Sequence, residues 1–194
     1  VTAHSNNIDW FELYEEDNNP YLEAWWKWWP EVSKTLNILR VTGGEPLMHK
    51  STWRLFEELK SNPKPHLNIE LNSNMGVKEK LVKKLVATLK ELKETNAINS
   101  FKLYTSIDTW GPRASYTRTG LDIAVWERNL DYYLTQTGWP VTFMVTFNLF
   151  AVTSFNKLLE KILEWRHKYN HNEQSKWQRI RFDTPYLRDP IQFD

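Results

Sequence analysis

The chain has 194 residues, with 25 Lys plus Arg against 24 Asp plus Glu, a formal charge of +1 and no cysteine. That length suits one domain with a substantial core, and the balanced charge excludes a global field drawing it to nucleic acid or an anionic membrane. The lack of thiols excludes disulfides and thiolate metal sites made from these residues, and no apolar run reaches the roughly 20 residues of a membrane span.

Residues 1–35 read as an irregular or helical lead-in to the domain formed by 36–194. Within it, "WWKWWP" (Trp25 to Pro30) is four of the chain's 11 tryptophans. On a helix, Trp25, Trp28 and Trp29 share a face, which fits packing against a sheet and leaves Trp26 outward. A nucleic-acid stacking platform would need a basic groove, and none is evident nearby. Strands follow at Leu36–Val41, His66–Asn72, Ser100–Asp108, Val141–Asn148 and Gln178–Asp183. Helices are expected between them. Ser51–Asn62 opens on a capping serine and ends before Pro63. Lys78–Thr95 places Leu81, Val82, Leu85, Val86, Leu89 and Leu92 on one face, with its lysines on the solvated one. Asp122–Thr137 carries Ile123, Trp126, Leu130, Tyr133 and Leu134 likewise. Thr153–Tyr169 opens on a Thr-Ser cap and buries Phe155, Leu158, Leu159 and Ile162. Strand starts recur at the length of a βα unit, so the fold class is α/β with a parallel sheet, open or barrel.

The strands alternate instead of running continuously apolar. One face carries residues such as Leu67, Ile69, Leu71, Phe101, Leu103, Val141 and Phe143. The other carries Arg40, Glu70, Lys102, Tyr104, Thr142 and Arg181. A parallel sheet covered on both sides is apolar on both. Here the helices are expected on the apolar face, and the polar face needs water, a polar ligand or plain solvent.

Ligands of α/β proteins bind beyond the carboxyl ends of the strands. Those ends are Thr42-Gly43-Gly44-Glu45-Pro46, Asn72-Ser73-Asn74, Ser106-Ile107-Asp108, Thr146-Phe147-Asn148 and Asp183-Thr184-Pro185. They are rich in small, polar and acidic residues and suit a ligand with amine, carboxylate and hydroxyl groups. Glycine pairs admit positive φ and close approach to the backbone, and Pro46 holds Glu45 extended. Glu45 then either meets a cation or caps the next helix. The histidines show no metal-ligand spacing; His49 lies just past the glycine turn. Arg179, Arg181 and Asp183 form either an interior ion-pair set or part of a substrate end.

In order and spacing, GGEPL, NSN, SID and TFN at successive strand ends resemble the radical S-adenosylmethionine (SAM) enzymes, nearest to those with SPASM or twitch extensions. The likeness covers about residues 36–194. It implies a partial (βα)6 TIM-like barrel of parallel strands with outer helices. It further implies that Gly43, Gly44, Glu45 and Pro46 meet the methionine end of SAM, with Asn72 and Asn74 beside them. Ser106, Asp108 and Asn148 would meet ribose and carboxylate, and Arg118, or second Arg113, the carboxylate. The cofactors implied are SAM and a [4Fe–4S] cluster, which together yield a 5′-deoxyadenosyl radical. The implied partners are a peptide or protein substrate and an electron donor such as a flavodoxin or ferredoxin, with no nucleic acid and no membrane, in the cytoplasm. The family's cluster loop, CxxxCxxC, has no counterpart here. The resemblance therefore places the first strand and that loop upstream of Val1, and residues 1–194 alone are expected to be inactive. The alternative is a non-catalytic, cluster-less barrel that holds a peptide or nucleotide-like ligand.

Overall fold

The computed structural model describes residues 19–169 and 179–184. Five strands form one sheet in the order β1 (Ile38–Val41), β2 (Lys64–Asn72), β3 (Ile98–Ser106), β4 (Val141–Met144) and β5 (Ile180–Asp183), each parallel to its neighbour. Between them run α2 (Lys50–Ser61), α3 (Glu79–Glu94), the short α4 (Pro112–Thr117), α5 (Ile123–Gln136) and α6 (Phe155–Tyr169), with α1 (Pro20–Val32) ahead of β1. Successive parallel strands joined by right-handed crossovers put every crossover helix on the same side. The core agrees: the buried apolar residues of α1, α2, α3, α5 and α6 form one cluster with Leu67, Ile69, Leu71, Phe101, Leu103, Val141 and Phe143. The result is an α/β fold whose all-parallel sheet is helix-covered on its apolar face, compatible with part of a barrel. Among the described residues no helix is long and apolar enough to cross a membrane.

The alternation expected from the sequence holds in β2 and β3, where buried and half-exposed residues take turns from Leu67 to Asn72 and from Phe101 to Ser106. Several boundaries differ, each for a local reason. Leu36 still belongs to the turn that ends α1, because its N–H donates to Val32 O at 3.1 Å. β4 stops at Met144 instead of Asn148, since Asn148 folds a turn of its own. Ser51 does not cap α2. Position 49 does, without a side-chain capping bond to the helix, after a 3-10 turn at Pro46–Met48 that the sequence does not announce. The Thr153-Ser154 pair likewise lies in a 3-10 turn (Val152–Ser154), and Ser154 Oγ is 2.7 Å from Thr109 Oγ1 in place of a cap. α4 was not expected either; its Pro112 start follows Gly111.

The tryptophan cluster corrects a second expectation. Trp29 is buried and Trp25 half-buried, but Trp28 is 57% exposed and Trp26 packs against the core. The inward stripe is Leu22, Trp25, Trp26, Trp29 and Val32, a helical i, i+3, i+4 pattern offset from the expected one. Trp26 is fixed by the Arg54 guanidinium 4.1 Å above its ring. Arg179 also takes neither role open to it from sequence. Its guanidinium turns to the end of α5, donating to Leu134 O at 2.7 Å, to Thr137 O and to Trp139 O at 3.2 Å, where the helix dipole is negative. The last ten residues, 185–194, Pro185 of the fifth strand end among them, lie outside the described residues, as do 1–18 and 170–178.

Candidate functional site

The carboxyl ends of the strands form a rim, and the turn after β1 is its most distinctive part. Gly43 and Gly44 take φ of +96° and +50°, conformations that strain a residue with a Cβ. A Cβ on Gly43 would meet nothing within 4 Å, and one on Gly44 would lie 3.5 Å from His49 Nε2. Backbone conformation, not crowding, therefore requires the glycines, and the peptide groups at this turn stay open to a ligand. Next to them a groove of about 660 Å³ runs between α1 and the turn, walled by Trp25 and Trp26 on one side and by Gly43, Gly44 and Pro46 on the other.

Glu45 performs the capping role and one more. Its Oε1 accepts from Leu47 N at 3.2 Å, closing the 3-10 turn, and its Oε2 accepts from Asn74 N at 2.7 Å, tying the end of β1 to that of β2. Both bonds come from neutral N–H groups, and Glu45 forms no ion pair among the described residues. A carboxylate so held is oriented but not neutralised. Beyond β2 the chain bonds to itself: Ser73 Oγ accepts from Met75 N at 3.1 Å and Asn74 Oδ1 from Gly76 N at 2.8 Å. These bonds hold Met75 at φ +54°. Asn72 differs. Its Oδ1 is buried and has no hydrogen-bond partner among the described residues, a cost of about 1–3 kcal/mol unless something else pairs with it.

The rim after β3 and β4 is closed on itself. Asp108 is 5% exposed. Its Oδ1 accepts from Arg118 Nη2 at 2.9 Å and from Thr146 N at 3.0 Å. Arg118 Nε lies 2.9 Å from Oδ2, although its N–H does not point along that line. Asn148 accepts from Phe150 N at 3.0 Å and Ala151 N at 3.1 Å through Oδ1 and donates to Thr146 O at 3.0 Å through Nδ2. Ser106 is half-exposed and its hydroxyl has no side-chain bond among the described residues. Arg113 donates to Phe150 O at 3.4 Å.

The structure thus brings Gly43, Gly44, Glu45, Pro46, Asn72 and Asn74 together at one half of the rim. It joins Asp108, Arg118 and Asn148 in a second, self-bonded half. Sequence reading missed an exposed apolar group beside that second half. Tyr116, Phe147, Leu149, Phe150 and Val152 are 47–76% exposed, with the Tyr116 and Phe150 rings 6.0 Å apart. The signal for it was an apolar run, "FNLFAV", in a segment that also carries turn chemistry. No group of three or more His, Asp or Glu side chains able to hold a metal occurs among the described residues.

Comparison with protein-family models, with curated proteins and with solved structures returns no significant match.

Proposed function

We propose that the rim binds S-adenosylmethionine and that the chain is the barrel portion of a radical SAM enzyme acting on a peptide or protein, with the five strands as part of a (βα)6 TIM-like barrel. The observation that carries the binding reading is the β1–β2 half of the rim. It offers open peptide groups at Gly43–Gly44, an oriented and un-neutralised carboxylate at Glu45 and an orphaned acceptor at Asn72. The methionine end of SAM brings an ammonium group, which such a carboxylate and amide oxygen would accept. Ser106 is free to meet a hydroxyl of the ribose. Asp108, Arg118 and Asn148 frame the far side, their own bonds fixing the positions of the neighbouring backbone. The exposed apolar group at Tyr116, Phe147 and Phe150 supports a peptide as substrate.

The residues present fit SAM but not an iron–sulfur cluster. A [4Fe–4S] cluster is held by thiolates, and the chain has none. In this reading the thiolates that hold such a cluster, and the radical chemistry it would supply, would have to come from outside residues 1–194. The same lack of thiols favours the second reading, a ligand-binding barrel without chemistry.

Equilibrium dialysis of the chain against radiolabelled SAM tests the proposal. Saturable binding is expected, weakened about tenfold or more in Gly44→Val, equivalent to ~1.4 kcal/mol. Circular dichroism of the variant checks that the sheet persists. A folded chain with no saturable binding up to about 1 mM SAM, the limit of weak recognition, would reject SAM as the ligand and leave the scaffold reading.

A further inference from the structure

Below the rim, the polar face of the sheet carries a row of charges that the SAM reading does not use. Arg40, Glu70 and Lys102 are direct cross-strand partners on β1, β2 and β3, two residues, or roughly 7 Å, before the level of Asn72. Glu70 is central and 12% exposed at its side chain. Its Oε2 accepts from Arg40 Nε at 2.8 Å and Nη2 at 2.5 Å. Its Oε1 accepts from Lys102 Nζ at 3.0 Å and from Tyr104 OH at 3.3 Å.

The sign balance is the reverse of that in two other three-member ion clusters among the described residues. Lys60 lies between Glu57 and Glu91, and Lys161 between Glu127 and Glu164, each one cation for two carboxylates. Here two cations share one carboxylate, leaving one positive charge in excess. Burial pushes the Glu70 carboxyl up, but hydrogen bonds from Arg40 and Lys102 outweigh it and hold it below its ordinary value. Burial pushes Lys102 down, and its bonds to Tyr104 and Glu70 outweigh that. All three groups are charged at neutral pH.

The geometry leaves that excess charge usable. Both Arg40 bonds end on a single Glu70 oxygen, so the guanidinium edge carrying Nη1 is turned away from it. The guanidinium is stacked 4.4 Å from the Tyr104 ring centroid, which fixes its plane. The Arg40 side chain remains 48% exposed and that of Lys102 29%. The helices bury their residues on the opposite face. Arg181 lies on the same face, in the row of Tyr104 and Thr142. Among the described residues the acidic groups nearer the rim are Asp183, two residues further along β5, Glu45, which is committed to Leu47 and Asn74, and Asp108, which is paired with Arg118.

We propose that Arg40 and Lys102, oriented by Glu70 and Tyr104, form an oxyanion site on the polar face. It would take the carboxylate or phosphate group of a ligand whose body extends toward the rim. Oxyanion binding stands on this geometry alone; that the ligand is the substrate of a SAM-dependent reaction rests on the preceding reading.

The test titrates the 15N-labelled chain with sodium phosphate and, separately, sodium acetate, at ionic strength held constant with sodium chloride. The readout is the Arg40 Nε–H and Lys102 Nζ resonances. Saturable shifts in the millimolar range, about −4 kcal/mol of binding, are expected, and the tighter anion identifies phosphate or carboxylate as the source. Arg40→Gln is expected to weaken the response about fivefold or more through loss of charge-assisted bonds. Arg40→Lys, which keeps the charge but loses the planar fork, replaces it if circular dichroism shows that Arg40→Gln has lost its fold. Glu70→Gln raises the excess to two charges and is expected to tighten binding, whereas a purely structural ladder would lose stability without gaining affinity. Linear, unsaturating shifts in the parent chain, or equal responses in all variants, overturn the proposal. SAM dialysis on the same samples separates the two readings: lost SAM binding with retained anion binding counts against the rim alone, and the reverse counts against this site alone.

Discussion

The two halves of the rim use the same chemistry to opposite ends. After β1, a carboxylate (Glu45) is held by two neutral backbone N–H groups and has no ion-pair partner among the described residues. After β3, a carboxylate (Asp108) is buried and paired with a guanidinium, and its remaining capacity closes on Thr146 N. The first half spends conformational freedom at Gly43 and Gly44 and leaves Asn72 Oδ1 unsatisfied. The second leaves the Arg118 Nε–H without a hydrogen bond, but holds it 2.9 Å from the charge of Asp108 Oδ2. Polar residues at a strand end are therefore not equivalent evidence of a site. What matters is whether their partners are already in the fold.

Substitutions should separate the halves, the largest effect falling on the closed one. Asp108→Ala strips the partner from a half-buried Arg118 and from Thr146 N, and a loss of about 3 kcal/mol in urea denaturation is expected. Glu45→Ala removes two N–H acceptors but no ion pair. Its expected cost is about 2 kcal/mol, accompanied, unlike Asp108→Ala, by a direct loss of the contact proposed for the SAM ammonium. Gly43→Ala has room for the new methyl but the wrong φ, so about 1 kcal/mol of stability is expected to go through the backbone alone. Asn72→Ala sharpens the contrast most. Removing an orphaned buried acceptor should raise stability by about 1 kcal/mol while SAM binding falls; a stability loss instead would mean that Asn72 has a structural partner. Acid should act least. Glu70, below the open half, has a folded pKa under its ordinary 4.5. Its contribution is complete above that value and fades as pH falls through the lower folded one. Glu70→Gln should remove that part of the acid dependence of tryptophan fluorescence.

Period and polarity made the sheet legible from sequence. Alternation at Leu67–Asn72 and Phe101–Ser106, and helical spacing at Val82–Leu92, follow from which side chains water rejects, and that is a property of the residues themselves. The rim was legible as a set of positions, because strand ends with Gly, Asn and Asp announce themselves. Its division into two halves was not. Whether Asp108 meets a ligand or Arg118 depends on a contact ten residues away along the chain. Whether Glu45 caps the turn or faces outward depends on Asn74, 29 residues away. The inward stripe of α1 was missed for a related reason: four tryptophans are apolar enough for either face, and the contact of Trp26 with Arg54 comes from another helix.

The strictly sequential strand order has a consequence for how the chain reaches this state. Each strand's neighbours in the sheet are its neighbours along the chain, so no pairing waits on a distant segment and the cost of loop closure is met one βα unit at a time. The sheet can thus grow outward from its longest pair, β2 and β3. The strands at its margins, β1 and β5, are each paired on one side only within the described sheet. They should be the last to gain hydrogen-exchange protection and the first to lose it, which puts the glycine turn after β1 on one of the least protected elements of the fold.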